Sequence, residues 1–179
     1  MEVVEWILGC IQSTSFAVLI NGSPSEFFRP SRGIRQGFPL SPFIFLLVAD
    51  ALSKLIVKSR TEGRITRVKV SGTEEVTHTL FVDDVLLFGI GEEENLTKYA
   101  TLTEKYMKAT GMIINIEKSM LAHNEFPGEL VQKSKEILAY PTKPLGEGFK
   151  YLGFFLKPNF YAFKEWMWLF EKVEARVSS

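Results

Sequence analysis

His78-Thr79-Leu80-Phe81-Val82-Asp83-Asp84-Val85-Leu86-Leu87-Phe88-Gly89 places two adjacent carboxylates between two apolar runs, Thr79 to Val82 and Val85 to Phe88. Runs of this length, rich in β-branched and aromatic residues, read as buried strands. An acid pair at their junction reads as the tip of a β-hairpin. Two like charges side by side between core strands are unfavourable unless something positive faces them. A divalent cation would serve, since hard Mg²⁺ favours carboxylate oxygens together with substrate phosphates. On these two residues alone a plain polar Asp-Asp turn is the preferred reading, so the neighbouring sequence has to decide.

The 179 residues suffice for one domain with a proper core. Hydrophobic residues make up 46% and charged residues 23%, an ordinary globular balance. Lys+Arg and Asp+Glu are 21 each, so net charge lends no support to a nucleic-acid partner. The single Cys10 excludes an intramolecular disulfide and a cysteine-based zinc site. No apolar stretch approaches the roughly 20 residues that a membrane-spanning helix needs. Met1-Glu2-Val3-Val4-Glu5 lacks the basic start of a signal peptide. The expectation is a soluble intracellular protein, nuclear or cytoplasmic.

Around the acid pair, Glu2 to Ile11 has helical spacing through Val3, Trp6, Ile7 and Cys10. Phe16 to Asn21 reads as a strand, Asn21-Gly22 as a hairpin turn, and Glu26 to Arg29 as its return. Ser41-Pro42 opens a helix from about Phe43 to Lys58, with Ser41 as N-cap. That helix is apolar almost all round to Leu52, which predicts burial on most sides, with Asp50 exposed or hydrogen-bonded. Ile65 to Val70 alternates as a strand. Asn95 reads as the cap of a helix over Leu96 to Ala109, ended by Gly111, with Leu96, Tyr99, Leu102, Tyr106 and Met107 on one face. Strands are predicted over Met112 to Ile116, up to Ala122, and over Lys150 to Leu156. Helices are predicted over Glu129 to Leu138 and Lys164 to Val177, the latter with a Trp166, Phe170, Val173 stripe, and Pro141 to Gly148 reads as a loop.

A second informative stretch is Arg32-Gly33-Ile34-Arg35-Gln36-Gly37-Phe38-Pro39-Leu40-Ser41-Pro42. Its two glycines allow close approach of backbone to a ligand, and it leads into a helix N-terminus, which favours anions. Arg29, Arg32 and Arg35 can pair with phosphates, and Gln36 offers a neutral donor and acceptor for a nucleotide or base edge. A surface loop with solvated arginines is the competing reading of this stretch by itself.

Loop and hairpin together, with three flanking segments, resemble the reverse transcriptase domain of non-LTR retrotransposons, particularly those of plant genomes. The resemblance runs from about Trp6 to about Trp168 and rests on segments in a fixed order. Phe16-Ala17-Val18-Leu19-Ile20-Asn21-Gly22 comes first. Arg32 to Pro42 follows, continued by Phe43-Ile44-Phe45 and Ala51-Leu52-Ser53. Phe81-Val82-Asp83-Asp84 matches the aromatic-x-Asp-Asp hairpin. Gly111 to Ser119 and Tyr151-Leu152-Gly153 complete the set.

That resemblance implies an α+β fold, a partial polymerase palm built on a ferredoxin-like (RRM-like) split βαβ sheet with packed helices. It implies a palm portion over residues 1–156 and the start of a thumb-like connection helix over 157–179. Asp83 and Asp84 would be catalytic and help bind two Mg²⁺ ions for nucleotidyl transfer. Arg35, Gln36 and Gly37 would contact the incoming deoxynucleotide and template. Lys118 would be a phosphate contact, with a merely solvated lysine as the equal alternative. Phe81 is expected to pack in the hairpin. Phe27, Phe28, Tyr151 and Phe154 could stack bases, though most of them should be core. The implied partners are an RNA template, a DNA primer and deoxynucleotides.

The chain also departs from the family pattern. The family's palm has a further metal-binding Asp on an upstream strand, and no Asp stands between Met1 and Phe16. That strand, the fingers and most of the thumb are expected to be missing, leaving an exposed sheet edge and weak Mg²⁺ binding. Phe38 stands where the family usually carries a small polar or acidic residue, and it could obstruct the nucleotide site or disturb the loop. The sequence therefore reads as a truncated RNA-directed DNA polymerase expected to be inactive alone. The alternative is a non-catalytic RNA- or protein-binding relic.

Overall fold

The computed structural model describes residues 2–31, 33–158 and 161–178, with the backbone alone at 70 and 71. Arg32, one of the three loop arginines, lies outside the described residues. The order is α1 (Glu2–Gln12), β1 (Leu19–Ile20), β2 (Ser23–Pro24), α2 (Ser41–Thr61), β3 (Val68–Ser71), β4 (Glu74–Val76), β5 (His78–Phe81) and β6 (Asp84–Leu87). Then come α3 (Glu93–Thr110), β7 (Leu121–His123), α4 (Gly128–Leu138), β8 (Thr142–Pro144), β9 (Phe149–Tyr151), β10 (Phe154–Leu156) and α5 (Met167–Val177). The α+β class therefore holds.

Among the described residues the strands do not form the single continuous sheet expected of a palm. They pair as five separate two-stranded ladders: β1 with β2, β3 with β4, β5 with β6, β7 with β8, and β9 with β10. The reason is local: each strand is two to four residues long. Four of the ladders are hairpins that find their partner across a short turn. The exception, β7 with β8, is parallel, with α4 as its crossover, as parallel neighbours require.

Turn chemistry explains the hairpins. Asn21 and Gly22 take φ of 51° and 84° between β1 and β2, the positive pair that a tight hairpin turn favours. Leu152 and Gly153 do the same at 51° and 81°. The stretch expected as one strand over Lys150 to Leu156 is thus two short strands folded back on each other. The predicted strand over Met112 to Ile116 is absent. Asn115 Oδ1 instead accepts from the Lys118 amide at 3.2 Å and caps a 3₁₀ turn at Ile116–Lys118.

The core gathers where α2 and α3 meet the β5/β6 hairpin. Leu52 and Ile56 of α2, Ile65, and Tyr99 and Leu102 of α3 are buried together, with Leu80 and Leu87 of the hairpin packed against them. Tyr106 of α3 also packs here, and its hydroxyl donates to the Val48 carbonyl of α2 at 3.1 Å. The helical face read on α3 is borne out, and Gly111 closes that helix at φ 71°. Asn95 is not its cap. It lies inside the first turn, buried, accepting from the Thr66 amide at 3.2 Å and donating to the Ile90 carbonyl at 2.9 Å.

The N-terminal half of α2 contradicts the expected burial: Phe43, Leu46 and Leu47 are each at least 60% exposed. An all-round apolar helix is buried only if neighbours reach every face, and in the described structure α3 and β5 approach α2 from one side. The Val3 and Trp6 face of α1 and the Trp166, Phe170 and Val173 stripe of α5 are exposed for the same reason. Asp50, as read, sits on the open side and pairs with Lys54 at 2.6 Å. Among the described residues no helix is long and apolar enough to cross a membrane.

Candidate active site

Phe81 pairs with Asp84, so Val82 and Asp83 form a two-residue turn between β5 and β6. Asp83 therefore stands at the tip and Asp84 opens the return strand. Val82 adopts φ 51°, a left-handed conformation that is unfavourable for a β-branched residue. Both carboxylates are exposed. Among the described residues neither has a hydrogen-bonded or ion-paired side-chain partner. Burial therefore exerts no pressure on the pair, and the expectation of an acid pair enclosed by core strands is corrected. The hairpin is buried only at its root. Phe81 is 55% and Val82 65% exposed, because the ladder projects beyond the α2–α3 core.

The root is held by polar contacts that sequence reasoning missed. His78 Nε2 lies 2.8 Å from Ser53 Oγ of α2, and its Nδ1 lies 2.9 Å from Thr77 Oγ1. Tyr99 of α3 donates its hydroxyl to the Phe88 carbonyl at 2.6 Å. Desolvation, with a smaller contribution from the Arg60 charge, pushes the His78 imidazole below its ordinary value. Desolvation raises the Tyr99 phenol to about 12. His78 opened the informative stretch, but only its distant partner Ser53, 25 positions earlier, reveals its role. A Cβ on Gly89 would lie 2.5 Å from Asn95 Nδ2 and 2.7 Å from the Tyr99 ring. The strand can run that close to α3 only because residue 89 has no side chain.

The loop ahead of α2 is equally constrained. Gly33 and Gly37 take φ of 88° and 76°, values that other residues adopt only with strain. The Phe38 amide donates to the Arg35 carbonyl at 3.4 Å, and the Ser41 amide donates to the Phe38 carbonyl at 3.0 Å. Ser41 is not the N-cap. It is the first helical residue, and its hydroxyl donates to the Arg35 carbonyl at 2.6 Å, closing the loop onto the helix. Arg35, Gln36 and Gly37 are left exposed on the crest, and Arg29 is exposed before it.

Helix α2 connects the two sites. The loop enters it at Ser41 and the hairpin root meets it at Ser53, about 18 Å farther along its axis at the usual helical rise. Lys118 is exposed on its 3₁₀ turn and shares no hydrogen bond or ion pair with the loop or the hairpin among the described residues. Phe27, Phe28 and Phe154 are exposed rather than core, and Tyr151 is half-buried.

The carboxylate pair is of the right kind for Mg²⁺, which takes one or two protein carboxylates and completes its shell with water and phosphate. Among the described residues no group of three or more His, Cys, Asp or Glu side chains is placed to hold a metal ion. The hairpin presents two exposed, adjacent carboxylates.

The chain is 43% identical over 67 residues to an uncharacterised mitochondrial protein of Arabidopsis thaliana, a match covering 37% of this chain and 55% of that protein. It is 27% identical over 176 residues to the retrovirus-related Pol polyprotein from the type-1 retrotransposable element R2 of Popillia japonica, covering 91% of this chain and 24% of the polyprotein. The corresponding polyprotein of a type-2 R2 element of Drosophila melanogaster is 28% identical over 118 residues, 64% of this chain and 10% of its own length. The chain thus spans about half of the first relative and a quarter or less of the polyproteins. The pattern of the family described as reverse transcriptase (RNA-dependent DNA polymerase) matches residues 2–156. With a match of that extent, the chain belongs to the reverse transcriptase family.

Proposed function

We propose that this chain carries the palm portion of an RNA-directed DNA polymerase, with Asp83 and Asp84 as its catalytic metal ligands. The observation that carries this reading is the position of the pair, Asp83 in the turn and Asp84 opening the return strand of a tight hairpin, inside a family match over residues 2–156. An exposed pair at a projecting tip can meet a metal-bound substrate without first being uncovered. Mg²⁺ bound there would polarise an attacking 3′-hydroxyl and stabilise a departing pyrophosphate. Asp83 and Asp84 would hold the ion, the α2 and α3 anchors would fix the hairpin root, and Arg35 and Gln36 would bind the phosphates and base of the incoming deoxynucleotide.

Two exposed carboxylates fix too few of the six Mg²⁺ positions to hold the ion tightly. The chain by itself is therefore expected to bind Mg²⁺ weakly and not to extend a primer. Primer extension on an RNA template, with and without Mg²⁺, tests this. Extension by the isolated chain that disappears in Asp83→Ala would show that the pair is sufficient and overturn the inactivity.

One observation favours a second, non-catalytic reading. Arg29 and Arg35 are exposed and make no ion pair among the described residues, so both are available to a polyanion. Salt-dependent RNA binding that survives Asp83→Ala and falls in Arg35→Ala would establish it. No RNA binding at low salt would remove it.

A further inference from the structure

Phe38 was expected to threaten the nucleotide site, because the family carries a small polar or acidic residue there. The structure places Phe38 on the wall of a cavity at the foot of the loop. Phe38 is half-buried and lines a cavity of about 70 Å³ with Cys10 of α1, Phe16, Ile34, Arg35 and the buried Ile44 of α2. The residues on either side of it, Gly37 and Pro39, are exposed. The cavity therefore lies where the loop, including Arg35, meets α1, Phe16 and the start of α2.

We infer that Phe38 is a positioning residue: it fastens the Arg35-Gln36-Gly37 crest to α1 and α2 by an apolar contact. Three observations support this. Among the described residues, the crest is held to α2 by polar bonds at one end only, through Ser41 Oγ and the Ser41 amide. The Phe38–Arg35 bond within the loop is long, at 3.4 Å, and adds little. Gly33 and Gly37 both take left-handed φ, so the intervening segment has little intrinsic preference for the observed path. An apolar side chain on the wall of a cavity that Ile44 also lines supplies what the weak bonding omits. An aspartate at 38 would have to face Cys10, Phe16 and Ile44, or leave the cavity and release the crest.

The functional side of this inference rests on the proposal that the crest binds nucleotide or template; the anchoring side does not. Cys10, the single cysteine of the chain and a wall of the same cavity, provides an independent readout. We would measure its reaction with a small aromatic disulfide in the full chain under native conditions, alongside urea unfolding. Phe38→Ala and Phe38→Asp should label at least about threefold faster, as expected when a local contact is lost and the cavity opens, whereas Phe38→Leu should stay within about twofold of wild type. Low-salt binding of an RNA template is then compared with and without Arg35→Ala. The loss caused by Arg35→Ala should be present in wild type and Phe38→Leu and largely absent in Phe38→Ala, whose crest is already released. Unchanged Cys10 labelling in both Phe38→Ala and Phe38→Asp would overturn the anchor. Should Phe38→Ala lose cooperative unfolding, Phe38→Val and Phe38→Leu decide: labelling that fails to rise as the side chain shrinks overturns it too. Faster labelling with no Arg35 dependence in wild type would leave the anchor standing and remove the binding role of the crest.

Discussion

Removing one oxygen, in Tyr99→Phe, tests how the Asp83–Asp84 hairpin is held. Tyr99 is 7% exposed, and its hydroxyl donates to the Phe88 carbonyl at 2.6 Å, immediately after β6. The phenylalanine ring keeps the packing with Leu52, Ile56 and Leu102. What is lost is a short hydrogen bond, and the Phe88 carbonyl is left without that donor. Net hydrogen-bond values of about 1 kcal/mol, plus part of the penalty for an unsatisfied acceptor, put the expected destabilisation at about 1–2 kcal/mol at pH 7. The deficit should not be constant. Desolvation raises the Tyr99 phenol from 10.0 to about 12, so between those values the unfolded chain releases a proton that the folded chain retains. The folded state then binds more protons, and wild-type stability falls as pH rises through that window. A two-unit separation would be worth about 2.7 kcal/mol in full; allowing for solvent at the ring edge, about 1 kcal/mol should be lost by pH 11. Tyr99→Phe lacks this loss, whereas other tyrosines contribute to both proteins alike. Urea unfolding followed by far-ultraviolet circular dichroism at pH 7 and pH 11 measures the difference. The gap between wild type and variant should shrink towards zero at the higher pH. A gap that is the same at both values, or absent at pH 7, would refute the assignment of this hydroxyl as a buried brace.

Two further predictions concern the same root. Gly89→Ala places a methyl group within 2.5 Å of Asn95 Nδ2 and 2.7 Å of Tyr99. It should destabilise by about 1–3 kcal/mol in urea unfolding, whereas Gly37→Ala, with open space around it but φ of 76°, should show only the cost of backbone strain. His78 is kept neutral by desolvation and by Arg60, below its ordinary 6.5. As pH falls below that value the unfolded chain takes up a proton that the folded chain resists, so stability should decline on the acid side and remain flat above it. His78→Gln should flatten that limb in urea midpoints measured from pH 8 to pH 5. An unchanged acid limb in the variant would mean that the decline comes from other groups.

Much of the local structure was legible because it depends on near neighbours in the chain. The periodicity of Leu96, Tyr99, Leu102 and Tyr106, the Gly111 stop and the Asn21-Gly22 turn all express preferences within a few residues. Asp83-Asp84 between two apolar runs was enough to place a hairpin tip, and the order of segments around it was enough to indicate the family. Where local reasoning failed, a distant partner or a missing neighbour was responsible. Ser41 and Asn95 are both good cap residues by type, yet Ser41 bonds back to Arg35 and Asn95 joins Thr66 to Ile90. Lys150 to Leu156 has strand character throughout, and the left-handed Leu152 and Gly153 divide it in two.

The acid pair shows the division most clearly. The sequence by itself determined that Asp83 and Asp84 are adjacent, that β-forming runs flank them and that the chain belongs with reverse transcriptases. Only the tertiary structure decided how exposed they are. Apolar character measures a tendency to leave water, but burial requires another surface to pack against. Leu80 and Leu87 find α2 and α3 at the hairpin root, whereas Phe81 and Val82 at the tip do not. By the same rule, Phe38 is half-buried where residues of α1 and the start of α2 line a cavity with it.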